Sequence, residues 1–202
     1  MSTVAEELLP PERLAVAYAP VSARPAWIGL LALDRRLARV ALAAREPMLA
    51  QLRLAWWRDR FRAPAGDWPA GEPLLAVLAA WEGERAALER LVDGWEGAIG
   101  GEADEAALAA LVAARAGAVA ALARVVGVPP SRAIEDRARH WAAASLPAPL
   151  NGRVSLGTTA VPPLPRAMRP LAVLAGLADG QASGPGRVRA LGRIIRLGLT
   201  GR

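Results

Sequence analysis

Glu46 to Arg62 reads EPMLAQLRLAWWRDRFR, and this stretch combines helix-start chemistry, paired aromatics and alternating charge. Pro47 suits the first turn of a helix, where its missing N–H would have had no partner, and Glu46 beside it favours the positive end of the dipole. Met48, Leu49, Leu52, Trp56 and Phe61 recur at roughly helical spacing, which predicts a buried face. Arg53, Arg58, Asp59, Arg60 and Arg62 supply the charged positions. Trp56 and Trp57 point about 100 degrees apart on a helix, so only one can face a given core. The other belongs at a helix contact or a cavity wall.

Working outward on the N-terminal side, Ser22 is the predicted N-cap of a long helix over Ala23 to Ala44. Its apolar side carries Trp27, Leu30, Leu31, Leu37, Val40 and Ala41, with Asp34, Arg35 and Arg39 on or near the polar side. A shorter helix over Leu14 to Tyr18 precedes it and ends at Pro20. On the C-terminal side, a Pro/Gly linker at Pro64 to Gly71 leads to helices over Pro73 to Trp81 and Glu84 to Ile99. Gly83, Gly94 and Gly97 weaken these helices, and a helical glycine costs ~1 kcal/mol against alanine, so close packing or a bend is expected there. Ala106 to Val126 is an apolar helix with only Arg115 and Arg124 charged, central in any bundle. Pro129 to Ser131 opens a helix through Trp141, and 147–165 has too many breakers for anything but an extended loop or lid. Arg166 to Leu177 resumes the helix, Asp179 to Gly186 reads as a turn, and a cationic amphipathic helix occupies 187–199. No alternating strand pattern occurs, so the fold class is all-α, one domain over residues 1–202.

Composition closes several routes. The 202 residues contain no cysteine and a single His140, which excludes disulfides, thiolate catalysis and a multi-histidine zinc site. All 25 basic residues are arginine, so lysine Schiff bases and a P-loop lysine are also excluded. The formal charge of +6 is uneven: residues 137–202 hold a single acid, Asp179. A basic C-terminal third suits an anionic partner. No apolar run reaches the ~20 residues of a membrane span. Met1 to Pro11 has no basic residue ahead of its apolar block, unlike a secretory signal, and the expected location is the cytoplasm, with peripheral contact to the inner membrane.

EPMLAQLRLAWWRD, with the preceding Leu31 to Arg45, resembles the squalene/phytoene synthase family, more narrowly a bacterial branch whose relatives include a mitochondrial assembly factor for respiratory complex I. The resemblance covers most of the chain and is specific over about Leu31 to Arg60. Ala109 to Gly127 is similar to the family helix that packs in mid-bundle, and Arg137 to Leu146 to the helix leading into the second metal motif. The resemblance implies a shortened isoprenoid-synthase bundle that joins two prenyl diphosphates head to head. It also implies magnesium, held by two motifs of paired aspartates. Here Asp34 is present in the first motif, but the position four later is Ala38, and Leu146 to Val161 contains no acid at all. Asp34 is therefore the one catalytic and metal candidate, with Arg35, Arg39 and Arg53 as diphosphate-binding candidates and Trp56 and Trp57 as cavity aromatics.

Two further acidic sets stand outside that motif. Glu82, Glu89, Asp93 and Glu96 read as a solvated or salt-bridged stripe, and Asp136 with His140 as surface decoration. Arg189, Arg193 and Arg196 give the last helix an interfacial pattern suited to anionic lipid or an acidic partner. The function expected from these departures is a degenerate, non-catalytic family member without cofactor, acting as a lipid-binding or assembly-type factor at the membrane surface. One alternative is an active magnesium-dependent head-to-head prenyl transferase. The other is an arginine-rich nucleic-acid-binding module, disfavoured by the lack of a reader motif.

Overall fold

The structure is a computed structural model describing residues 2–43, 45–150, 162–182 and 198. Its described residues are helical or irregular, with no strand among them. In chain order the helices are α1 (Ser2–Glu6), α2 (Pro10–Ala17), α3 (Arg24–Leu42), α4 (Pro47–Arg62), α5 (Pro73–Leu78), α6 (Arg85–Glu96), α7 (Glu105–Val125), α8 (Arg132–Ala144) and α9 (Arg169–Ala182). They neighbour one another in the order α4, α6, α7, α8, α9, α2, while α3 packs against α2, α4, α5, α6 and α7. This central place explains why α3 is buried around most of its circumference, with Trp27, Leu30, Leu31, Leu33, Leu37 and Ala41 all in the core. Trp27 donates its indole N–H to the carbonyl of Ala167 at 2.8 Å, tying the turn before α9 to α3.

Local chemistry accounts for several boundaries. Asp104 and Ser131 cap α7 and α8, their side chains accepting from the backbone N–H of Ala107 and Ile134. Glu72 caps α5 through Leu74 N–H and also accepts from Arg36 at 2.7 Å, so one carboxylate fixes α5 to α3. Gly94 lets α6 and α7 approach: a Cβ there would sit 2.9 Å from Ala114 Cβ and 3.2 Å from Leu111 Cα. The acidic stripe is salt-bridged, Glu89 to Arg62 and both Asp93 and Glu96 to Arg58, which laces α6 to α4. Asp136 pairs with Arg139 within α8.

Five expectations are corrected. Ser22 does not cap α3; a 3-10 turn at Val21–Ala23 precedes it, and Pro25 lies in the first turn. The helices expected over 73–81 and 84–99 are separated by a 3-10 stretch, Ala79–Glu84, because Trp81 leaves helical geometry (φ −92°, ψ 15°) to bury its indole. The turn expected from Asp179 is helical through Ala182, since one internal glycine, Gly180, costs too little to end a packed helix. Asp34, assigned to the polar side of α3, is only 7% exposed, because α6 and α7 cover that face.

The fifth correction concerns α4. Its buried residues are Ala50, Leu54, Trp57 and Phe61. Met48 (72%), Leu49 (49%), Leu52 (62%) and Trp56 (39%) are exposed instead. The helix carries two apolar stripes on opposite sides, and periodicity alone cannot choose between them. Packing chose the one flanked by Arg58 and Arg62, whose ion pairs reach α6. Trp56 meets Trp57 edge to face at a centroid distance of 4.9 Å, and Trp57 stacks on Phe61 at 5.8 Å.

By length and composition α7 is the one described helix apolar enough to cross a membrane. Here it is packed between α6 and α8. The stretch 151–161 of the expected lid and Arg189, Arg193 and Arg196 of the terminal helix lie outside the described residues. Gly198 is described: it is helical and buried against the ring of Tyr18, leaving no room for a side chain.

Candidate functional site

The helix order α3, α6, α7, α8, α9, α2 closes around a cavity of about 640 Å³. One α3 face supplies Asp34, Ala38 and Leu42 at successive turns, with Arg35 and Arg39 beside them. Opposite lie Leu146 after α8 and Leu174 and Leu177 of α9. The floor is polar: Asp34 of α3, Trp95 of α6, Arg115 of α7, and Trp141 and Ser145 at the end of α8.

These floor residues form one hydrogen-bonded group. Arg115 is 4% exposed and meets Asp34 side on, Nη2 to Oδ2 at 2.9 Å and Nε to both oxygens at 3.2 Å. Trp95 Nε1–H donates to Asp34 Oδ1 at 2.8 Å. Both carboxylate oxygens are thus committed, and the buried charge is matched by a guanidinium in bidentate geometry. Arg115 also donates to the carbonyl of Ala142, one of the α8 carbonyls left open at a helix end, and to Ser145 Oγ at 3.1 Å. A cation at a helix C-terminus is favoured by the dipole. Its guanidinium carbon lies 4.5 Å from the centroid of the Trp141 ring, a cation–π distance.

The rim is charged differently. Glu12 accepts from the N–H of Leu9 at 2.7 Å and from Arg35 at 3.3 Å. Burial pushes the Glu12 carboxyl above the usual glutamate value, against the pull of Leu9 N–H and Arg35. The Arg35 Nε is buried without a hydrogen-bond partner. Arg39 lines the same rim, is exposed, and makes no ion pair among the described residues. A cationic rim above apolar walls is complementary to an amphiphile with an anionic head.

Residues 13–145 match the profile of the family described as squalene/phytoene synthase. The chain belongs to the squalene/phytoene synthase family. Its all-α architecture agrees with the isoprenoid-synthase type of bundle. Compared with curated proteins and with solved structures, the sequence gives no match.

Squalene/phytoene synthase family membership raises magnesium, and the donor set does not fit it. Magnesium at a diphosphate is held through one or two carboxylates with free oxygens, the phosphates and water completing its shell. Asp34 spends its oxygens on Arg115 and Trp95, and the next turn of the same cavity wall presents Ala38. Glu12, the other carboxylate on the wall, is bonded by Arg35 and Leu9. Among the described residues no cluster of three or more acidic or histidine side chains occurs. The 151–161 segment lies outside them and has no acid in its sequence.

Of the residues singled out from sequence, the structure brings Asp34, Arg35 and Arg39 together at the cavity and leaves Arg53, Trp56 and Trp57 out of its lining. Arg53 is exposed on α4, Trp56 lies on the outer α4 stripe, and Trp57 is core packing beside Phe61. Trp95, Arg115, Trp141 and Glu12 were missed. Arg115 did carry a signal: a lone arginine in the middle of an alanine-rich helix bound for the bundle centre requires a buried acceptor. The tryptophans carried none that distinguishes a cavity floor from ordinary core.

Proposed function

We propose that this family member has given up diphosphate ionisation and holds an anionic lipid, its head at Arg35 and Arg39 and its tail against Leu146, Leu174 and Leu177. In this reading it works as a lipid-binding or assembly-type factor at a membrane surface. The observation that carries it is the engagement of Asp34 by Arg115 and Trp95, with Ala38 one turn along. A carboxylate so held offers a metal nothing without first stranding a buried arginine, which is strongly unfavourable. The cavity volume of about 640 Å³ falls within the range of small-molecule sites.

The test is incubation with farnesyl and geranylgeranyl diphosphate plus magnesium, monitored for both binding and pyrophosphate. Binding quenches or shifts the fluorescence of Trp95 and Trp141, weakens in Arg39→Ala, and releases no pyrophosphate. Sustained pyrophosphate release would overturn the non-catalytic reading in favour of an active prenyl transferase. Unchanged fluorescence with either diphosphate and with anionic phospholipid vesicles would overturn lipid binding.

A further inference from the structure

The outer stripe of α4 is unexplained by the cavity. Met48, Leu52 and Trp56 follow at successive turns, with Leu49 beside them, and all four are exposed. The spacing four and four makes Leu52 the midpoint of a symmetric row. The ends of the segment carry charges in reversed order: Arg45 and Glu46 just before the helix, Asp59 and Arg60 in its last turn. None of these four makes an ion pair among the described residues, and Arg60 Nε is buried without a hydrogen-bond partner. Arg60 instead lies 5.9 Å from the Trp56 ring centroid.

We propose that α4 pairs antiparallel with α4 of a second copy about a two-fold axis through Leu52. A two-fold contact is self-complementary: residue i meets j and j meets i. Reversal about Leu52 sets Met48 against the partner copy's Trp56, a favourable sulfur–aromatic pairing. At each end it sets Arg45 opposite the partner copy's Asp59, so this opposite-charge pair forms twice, and the two helix dipoles run antiparallel. Arg53 lies about 100 degrees from the stripe, so the like-charged pair near the axis points sideways. A lipid surface fits less well, because Glu46 and Asp59 are exposed at either end of the stripe. Sixteen residues of helix extend about 24 Å. One such face is smaller than the ~800 Å² per partner of a standard stable interface, so the dimer is weak and concentration-dependent.

The absence of cysteine from the 202 residues makes the register directly testable in the whole chain. With helix axes 8–10 Å apart, residues on the two-fold axis come within disulfide reach. Under mild oxidation Leu52→Cys should cross-link to dimer in high yield, and Met48→Cys should not, since symmetry separates its two copies by about 12 Å along the axis. Leu52→Glu should abolish the rise in weight-average mass with concentration seen by sedimentation, with an unchanged circular dichroism spectrum. Equal cross-linking of both cysteine variants would overturn the register. A mass that stays monomeric up to several hundred micromolar would overturn the dimer, as would binding to anionic vesicles abolished by Leu52→Glu without any dimer.

Discussion

Arg115→Met removes a buried cation and leaves Asp34 with its Trp95 bond alone. Leaving one partner of a buried ion pair uncompensated costs about 3–5 kcal/mol. The burial of both side chains, the two-point contact and the added bonds to Ala142 and Ser145 place this pair at the upper part of that range. Against a typical total of about 5–15 kcal/mol, the variant loses a large share of its stability. With a urea m-value of about 2 kcal/mol per M, the midpoint falls by roughly 2 M. Equilibrium unfolding followed by tryptophan fluorescence and by circular dichroism measures it. The companion Asp34→Leu/Arg115→Met variant removes both charges and restores most of the loss, because apolar replacement of a whole buried pair is often neutral or stabilising. A single-variant cost below about 1 kcal/mol, or a double variant as unstable as the two single losses added, would refute the reasoning that the pair is buried and mutually compensating.

Other outcomes follow from the packing and the rim. Gly94→Ala should destabilise despite the helix-propensity gain of about 1 kcal/mol, because its Cβ meets α7, whereas Gly117→Ala in open space should stabilise by about 0.5–1 kcal/mol; thermal unfolding of both separates the two effects. Trp57→Ala should cost about 3–5 kcal/mol and Trp56→Ala less than about 1 kcal/mol, read from urea midpoints. The hydrogen bonds from Arg36 hold the Glu7 carboxyl below its usual value, so this pair contributes above pH 4.5 and is lost as pH falls through the lowered value. Glu7→Gln should therefore lower stability at pH 7 by about 0.2–1 kcal/mol and leave it unchanged in strong acid. Glu12 has the opposite sign: its raised value penalises the charged form, so Glu12→Gln should stabilise at pH 7 and have no effect below about pH 4.

The helical architecture was legible because several helix starts carry local chemistry, such as Pro47 and Ser131, and because glycine and proline punctuate the rest. The site was half legible. Arg35 and Arg39 stand one turn apart on α3, so helical spacing alone brings those two together, and Asp34 lines the same cavity from the adjacent side of the helix. Arg115 lies 81 residues from Asp34, and no local pattern announces which buried acceptor it reaches. On α4 two apolar stripes compete, and the inner one is selected by Asp93, Glu96 and Glu89 of another helix, which hold Arg58 and Arg62 in place. That selection is tertiary, so period counting pointed to the outer stripe.

Arg115 has a second consequence, for the chain before it folds. Helix α7 has the length and hydropathy of a bilayer-crossing segment. An arginine near the centre of such a segment raises its insertion free energy by about 2.5–3.5 kcal/mol on biological scales. The guanidinium that neutralises Asp34 in the finished bundle therefore also biases the nascent helix against hydrocarbon. Exchanging it for leucine would loosen the cavity floor and, at the same time, turn α7 into a better substrate for membrane insertion.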